Sequence, residues 1–231
     1  MEESKLFRNI WRFNALAIAI ASTLAIVVLV FAAYMIYKET NRSRHRNEVV
    51  NIDPESTIKE TFRFGNVDYI QGSDSVIVPL YSDQKFDYRY SGGKSTVSTR
   101  NLLFSNMVSG TNKWLLPNNG FLISHYQLIN ESNSYERDKS IITILYYIVK
   151  SDTNSDERLT EKDDLTIAFS TPEGENYTEV LDGIETVLGY DVINKQTMAI
   201  VFNRNGRGYT AYINLDSHFK VAKEIPLPKI K

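Results

Sequence analysis

Three runs near the C-terminus, Val187-Leu-Gly-Tyr-Asp-Val-Ile193, Thr197-Met-Ala-Ile-Val-Phe202 and Gly208-Tyr-Thr-Ala-Tyr-Ile-Asn-Leu215, decide the fold. Each is short, rich in β-branched and aromatic residues, and bounded by turn chemistry. Asn194-Lys195 follows the first run and Asn203-Arg-Asn-Gly206 the second. In the third, Tyr209, Ala211, Ile213 and Leu215 recur at every second residue, which places them on one face of a strand. Strands joined by such short connections pair with their neighbours antiparallel. The reading is a β-meander.

The same pattern extends toward the N-terminus. Leu165-Thr-Ile-Ala-Phe-Ser170 passes through the turn Pro172-Glu-Gly-Glu-Asn176 into Tyr177-Thr-Glu-Val-Leu181. The segments 75–81, 100–105 and 140–149 read as further strands, and no amphipathic helix of three turns interrupts them. Residues 58–231 are therefore expected to form one mainly β domain, with a first half less regular than the second. The octapeptide Asn205-Gly-Arg-Gly-Tyr-Thr-Ala-Tyr212, set between two strands after a polar turn, resembles a blade of the TolB-like and WD40-like propellers over about residues 141–225. A blade takes roughly 40–45 residues, so the resemblance implies about four blades, a partial propeller, with a β-sandwich as the alternative. The chain as a whole is similar to a group of bacterial inner-membrane proteins with the same anchor-plus-β layout, a resemblance that carries no activity with it.

Charge is unevenly spread. The chain has 26 Lys and Arg against 28 Asp and Glu, a net charge of −2. Asp152, Asp156, Glu157, Glu161, Asp163 and Asp164 crowd into one loop against only Arg158 and Lys162. The segment Asp152-Thr-Asn154-Ser-Asp156-Glu-Arg158-Leu-Thr160-Glu-Lys-Asp163 resembles the twelve-residue calcium loop of EF-hand and dockerin modules. Such loops present oxygens at positions 1, 3, 5, 7, 9 and 12, because a hard cation needs six or more oxygen ligands and the chain must curl around it. Here those positions are Asp152, Asn154, Asp156, the carbonyl of Arg158, Thr160 and Asp163, and the resemblance implies a structural calcium ion. Glu157 occupies the position where the EF-hand has glycine, and aspartate replaces the final glutamate. Both departures imply weak binding, suited to the ~10⁻³ M calcium handled by extracellular modules. The competing reading is a solvated acidic turn.

The other end of the chain carries an apolar run from Ala15 to Tyr37 whose only polar members are Ser22 and Thr23. As a helix it would span roughly 34 Å, enough for the ~30 Å core of a bilayer. A cleaved signal peptide would have a core of about 7–15 residues and small residues at its cleavage site. Phe31-Ala-Ala-Tyr-Met-Ile-Tyr37 instead ends in aromatics, so an uncleaved transmembrane helix over 15–37 is expected. It would follow a short tail, 1–14, and precede a polar linker, 38–57, that contains Arg42, Arg44, His45 and Arg46. Trp11 and Phe13 at one end, with Tyr34 and Tyr37 at the other, suit the two aromatic belts. Basic residues nearly tie across the two flanks, so charge does not orient the helix. The calcium loop is the ground for expecting the domain outside the cytoplasm, on the periplasmic side of a bacterial inner membrane. Ala17, Ala21 and Ala25 form a small-residue stripe on which a second helix could pack, giving a homo-oligomer.

Several functions are disfavoured. The domain has no basic stripe with interleaved aromatics, which argues against nucleic acid. Zero cysteines exclude disulfides and thiolate-ligated metals. No nucleophile elbow, phosphate-binding loop, dinucleotide fingerprint or zinc-protease motif occurs, and His125 and His218 stand alone in sequence. A non-catalytic domain that binds a protein partner is the leading expectation. An envelope hydrolase and a cytoplasm-facing accessory subunit are the alternatives. Tyr88 and Tyr90, in Phe86-Asp-Tyr-Arg-Tyr90 before Ser91-Gly-Gly-Lys94, are the expected partner contacts, since tyrosine beside serine and glycine makes adaptable binding loops.

Overall fold

The computed structural model describes residues 5–40, 50–52, 60–85, 95–130, 140–194, 196–216 and 218–229, which divide near Arg46 into two units. The first unit is one helix, α1 (Lys5–Thr40). Within it the 24 residues Trp11–Tyr34 are long and apolar enough to cross a bilayer, and their side chains are exposed. The hydroxyls of Ser22 and Thr23 donate to the carbonyls of Ile18 and Ala19, each at 2.8 Å, so the polar members of the run are satisfied within the helix.

The second unit is built from short strands: β1 (Val50–Asn51), β2 (Glu60–Phe64), β3 (Asp68–Tyr69), β4 (Ser75–Lys85), β5 (Ser95–Asn106), β6 (Asn112–Trp114), β7 (Leu122–Asn130), β8 (Ile141–Val149), β9 (Arg158–Leu159), β10 (Leu165–Ser170), β11 (Thr178–Ile184), β12 (Thr186–Asn194), β13 (Thr197–Arg204), β14 (Arg207–Asn214) and β15 (Lys220–Pro226). They make three consecutive antiparallel sheets. The first runs β2-β4-β5-β6 with β3 added on β4, the second β7-β8-β10-β11, and the third β12-β13-β14-β15. β1 and β9 form a separate two-stranded pair. The β-meander expected from the sequence is present, in three sheets.

The sheets pack face to face, and alternation along β8 shows how. Ile144, Tyr146 and Ile148 lie with Ile77, Leu102 and Phe104 of the first sheet. Leu145 and Tyr147 point the other way and, with Ile167 and Phe169 of β10, meet Met198, Ile200, Phe202, Ala211 and Ile213 of the third sheet. The second sheet is thus covered on both faces, which is why β8 and β10 read as nearly continuous apolar runs. Gly174, at φ 73° in the β10–β11 turn, lies against the Phe104 ring so closely that a Cβ would sit 2.4 Å from it. The hairpin of the second sheet is clasped to the first at that point.

The first half is as regular as the second, contrary to the expectation from sequence. β4 and β5 pair along their whole length, with Arg100 as the extra residue of a bulge between Leu80 and Tyr81. The strand read at 100–105 is the second half of β5; what disguised its first half is that Ser98, Thr99, Arg100 and Asn101 are all buried, so polar residues break the apolar alternation. Val50 and Asn51, which the sequence places in the linker, belong instead to the folded unit, where Val50 is fully buried against Leu122, Val149 and Leu159.

Tyr146 is buried, and its hydroxyl lies 2.7 Å from Ser170 Oγ, which itself donates to the Thr171 carbonyl. Burial pushes this phenol far above its ordinary pKa, and burial raises those of Tyr126, Tyr147 and Tyr177 in the same way. A phenol with a raised pKa keeps its proton longer in the folded chain than in the unfolded one. Its contribution is fully present below the unfolded pKa and is lost as pH rises past it. Melting temperature should therefore change little between about pH 7 and pH 9 and fall steadily above about pH 10. Calorimetry of Tyr146→Phe should show a shallower alkaline fall than the parent chain.

Candidate functional site

The acidic loop joins the two central strands of the second sheet, β8 and β10. Asp163 is its organiser. It is 1% exposed; Oδ1 accepts the amides of Thr153 (2.8 Å) and Asn154 (3.3 Å), and Oδ2 accepts that of Thr160 (2.8 Å). Across the loop, Asp152 accepts the amides of Asp156 (3.2 Å) and Glu157 (2.7 Å). Asn154 Oδ1 accepts Asp156 N at 3.0 Å, and Asp156 Oδ1 accepts Arg158 N at 3.1 Å. The chain therefore curls so that Asp152, Asn154 and Asp156 turn toward a shared run of backbone amides. Ser155 and Glu157 take left-handed conformations, φ 61° and 60°, at the two tightest bends. Thr160 is half-buried, Arg158 is exposed, and Leu159 is buried.

The Asp152 oxygens and Asp156 Oδ1 each keep a second lone pair after accepting one N–H and remain chemically suited to a hard cation, whereas Asp163 Oδ1 is already taken up by two backbone amides. Among the described residues, however, no group of three or more His, Cys, Asp or Glu side chains is placed to hold a metal ion. The loop also carries a mechanical connection. Val50 pairs with Leu159 and Asn51 with Arg158, while Ile52 N donates to the Glu157 carbonyl at 3.1 Å. The segment that follows the helix unit in sequence is thereby fastened to the loop.

A second feature was not anticipated from sequence. Directly paired residues of antiparallel strands share a face. The registers Phe62↔Ser82, Phe64↔Leu80, Tyr69↔Val76 and Leu103↔Trp114 place four aromatic side chains on the side of the first sheet that faces away from the second. Phe62 is 48% exposed, Phe64 58%, Tyr69 78% and Trp114 41%. The rings of Phe64 and Trp114 stack with centroids 6.3 Å apart although two strands separate β2 from β6. They roof over Leu80, which is buried beneath them. Met107 and Val108, in the turn between β5 and β6 at one end of the sheet, are exposed as well. The sequence signal was available in Glu60-Thr-Phe-Arg-Phe64, whose aromatic–polar alternation marks a two-faced strand.

Beside Trp114 lies an open cleft of about 500 Å³, lined by Asn101 and residues 114–119. Asn101 shapes it by accepting Leu116 N and donating to Leu116 O and Asn119 Oδ1, each at 3.0 Å. Arg100 is buried with Nε 3.6 Å from Glu60 Oε1; burial lowers its pKa while Glu60 opposes that shift. Tyr88 and Tyr90, the expected partner contacts, lie outside the described residues. His125 packs on the Tyr147 ring at 5.6 Å between centroids. No family model, curated protein or solved structure matches this chain.

The loop geometry makes two stability predictions. Glycine adopts φ near +60° without the steric cost of a Cβ, so Glu157→Gly should stabilise the domain by about 0.5–1 kcal/mol. Asp163→Asn puts a donor where backbone N–H groups converge and should destabilise by about 1–3 kcal/mol. Urea denaturation would measure both, and equal midpoints for the two variants would contradict this account of the loop.

Proposed function

We propose that the chain is a membrane-anchored, non-catalytic β domain that binds a protein partner through the aromatic outer face of its first sheet. The carrying observation is that face itself. The opposite side of the sheet already supplies its share of the core, so Phe62, Phe64, Tyr69 and Trp114 contribute nothing there. Solvent-exposed apolar groups clustered on one surface are the physical mark of an interaction site, and aromatic side chains dominate the centres of protein interfaces. The length and composition of Trp11–Tyr34 support the anchor. The surroundings we propose are a bacterial inner membrane with the domain on its periplasmic side.

The acidic loop enters this reading as a structural calcium site formed by Asp152, Asn154, Asp156, the Arg158 carbonyl, Thr160 and Asp163. Its support is the alternate spacing of oxygens and the left-handed bends at Ser155 and Glu157. The ion would neutralise the crowded carboxylates and stiffen the point where β1 is fastened. A ligand that binds only the folded state raises its stability by mass action. Calcium at about ten times its dissociation constant should therefore raise the melting temperature by a few degrees, and Asp152→Asn should remove the rise. A melting temperature that does not respond to millimolar calcium would remove the ion from this proposal.

The partner reading is tested by capture from envelope extracts with the full chain and with a Phe64→Ser, Trp114→Ser double variant. Both residues are exposed, so the variant should fold with a melting temperature within a few degrees of the parent. Proteins retained by the parent should be lost from the variant. Retention of the same set by both would overturn the assignment of this face.

A further inference from the structure

Among the described residues the three sheets form a stack whose middle member is covered by a sheet on both faces and whose end members are each covered by one on a single face. Two faces are left over. The outer face of the first sheet carries the aromatic cluster. The outer face of the third sheet is different in kind. Met198, Ile200 and Phe202 of β13 point into the core, so the intervening Ala199 and Val201 point outward. Register adds Gly189 and Thr210 beside Val201, and Ile225 beside Thr210. At one corner of this face Leu188, Asn203, Gly208 and Leu227 line an open cleft of about 690 Å³.

We propose that these two faces are the halves of one interface between two copies of this chain. The aromatic face of each copy packs on the third-sheet face of the other, so that two arcs of three sheets close into a ring of six. This rests on the reading of the aromatic face as a protein-binding surface and names its occupant. Continuity of the stack is the first argument. Within one chain the first sheet packs on the second and the second on the third, and the proposed contact repeats that sheet-on-sheet packing once more. Six sheets of four or five strands fall inside the usual range of four to eight for closed rings of this kind.

Shape is the second argument. Bulky side chains project from one face, whereas the row of the other centred on Val201 is floored by Gly189, Val201 and Thr210, with a cleft at its corner and with Asp191, Ala199, Tyr212 and Lys223 in the next row. Large against small is how facing layers interdigitate. Area is the third. The exposed parts of Phe62, Phe64, Tyr69 and Trp114 amount to about two whole aromatic side chains, roughly 350–550 Å². A twofold ring buries four faces of that order, about 1,400–2,200 Å² in total, which matches a stable interface. Symmetry is the fourth. In a twofold ring with its axis normal to a bilayer, equivalent points of both copies lie at one height, so two anchored chains can reach the same membrane.

The chain has no cysteine, so introduced thiols report without background. Full-length copies carrying Phe64→Cys under one tag and Val201→Cys under another are co-expressed, placed in nanodiscs and treated with a short bifunctional maleimide. The expected result is a mixed-tag product about tenfold above that from a Lys162→Cys pair in the acidic loop, because docking raises the local thiol concentration. The particle mass should be that of two chains. Linkage of Phe64→Cys to itself in place of the mixed product would mean that the aromatic faces pair with each other, and would overturn the proposal. Open assemblies of growing mass would overturn the ring. Absence of any link, with both thiols still reactive to a single maleimide, would overturn the second copy as occupant. If in that case the Phe64→Ser, Trp114→Ser variant still loses a captured protein, the protein-binding reading stands while this one falls.

Discussion

Burial of the second sheet on both faces is the constraint around which the domain is arranged. Nearly every side chain of β8 and β10 is withdrawn from water, in one direction against the first sheet and in the other against the third. Each fully buried aliphatic or aromatic side chain contributes about 1.5–3 kcal/mol relative to exposure. The polar groups that must accompany them are satisfied in place: Thr143 donates to the Ser170 carbonyl at 2.8 Å, and Ser170 also meets Tyr146. A hydroxyl left alone there would forfeit the gain of a neighbouring apolar group. Among the described residues no further sheet covers the far sides of the first and third sheets, and those outer faces are where side-chain chemistry is freer to vary.

The acidic loop gains meaning from the strands it joins. It leaves β8 and returns as β10, so it is rooted in the two best-buried strands of the domain. Val50 and Leu159 share a small core with Leu122 and Val149 at that same end of the second sheet. Any tension transmitted along the chain before Val50 would arrive at β9 and then at the central sheet, rather than at an edge. Asp163, buried and accepting three backbone amides, holds the loop closed independently of any cation. A bound ion would add to a structure that already stands.

How much of this was legible in the sequence depended on whether a face had a single partner type. β13 and β14 alternate cleanly because one side meets the core and the other meets water, and the meander could be read from Tyr209, Ala211, Ile213 and Leu215. The apolar helix was legible for a similar reason, as nothing but hydrocarbon-like side chains occurs across most of it. The second half of β5 was read as a strand over 100–105, but its first half was not legible, because Ser98 through Asn101 are buried polar residues whose partners lie far away in sequence: Glu60 near Arg100, and Leu116 and Asn119 around Asn101. The aromatic face was missed because it exists only once β2, β3 and β6 are laid on either side of β4 and β5. Phe62, Phe64, Tyr69 and Trp114 span more than fifty residues of chain, and register alone gathers them. Length misled the estimate of four repeating units. The long β4–β5 hairpin and the connections around it use the residues that a fourth sheet would need.

Charge placement bears on whether two such domains can approach. The domain is acidic overall, and like charge opposes self-association unless it is kept out of the contact. Residues 152–164 hold most of the acidic excess, and they belong to the middle sheet rather than to either outer face. On the first sheet the charges are paired within the chain, Arg63 with Asp83 at 2.8 Å and Arg100 near Glu60. On the third, Arg204 is paired with Glu224 on the core-facing side, and the outer face carries one acid and one base, Asp191 and Lys223, in the row of Ala199 and Tyr212. At physiological salt the interaction between exposed charges decays over about 8 Å, so the acidic loop exerts little force on exposed groups more than one sheet spacing away. The chain thus keeps its densest like-charged cluster at its middle and its aromatic area at one end, and the Asp191 and Lys223 charges on the opposite end face are of opposite sign, a distribution compatible with association through the end sheets.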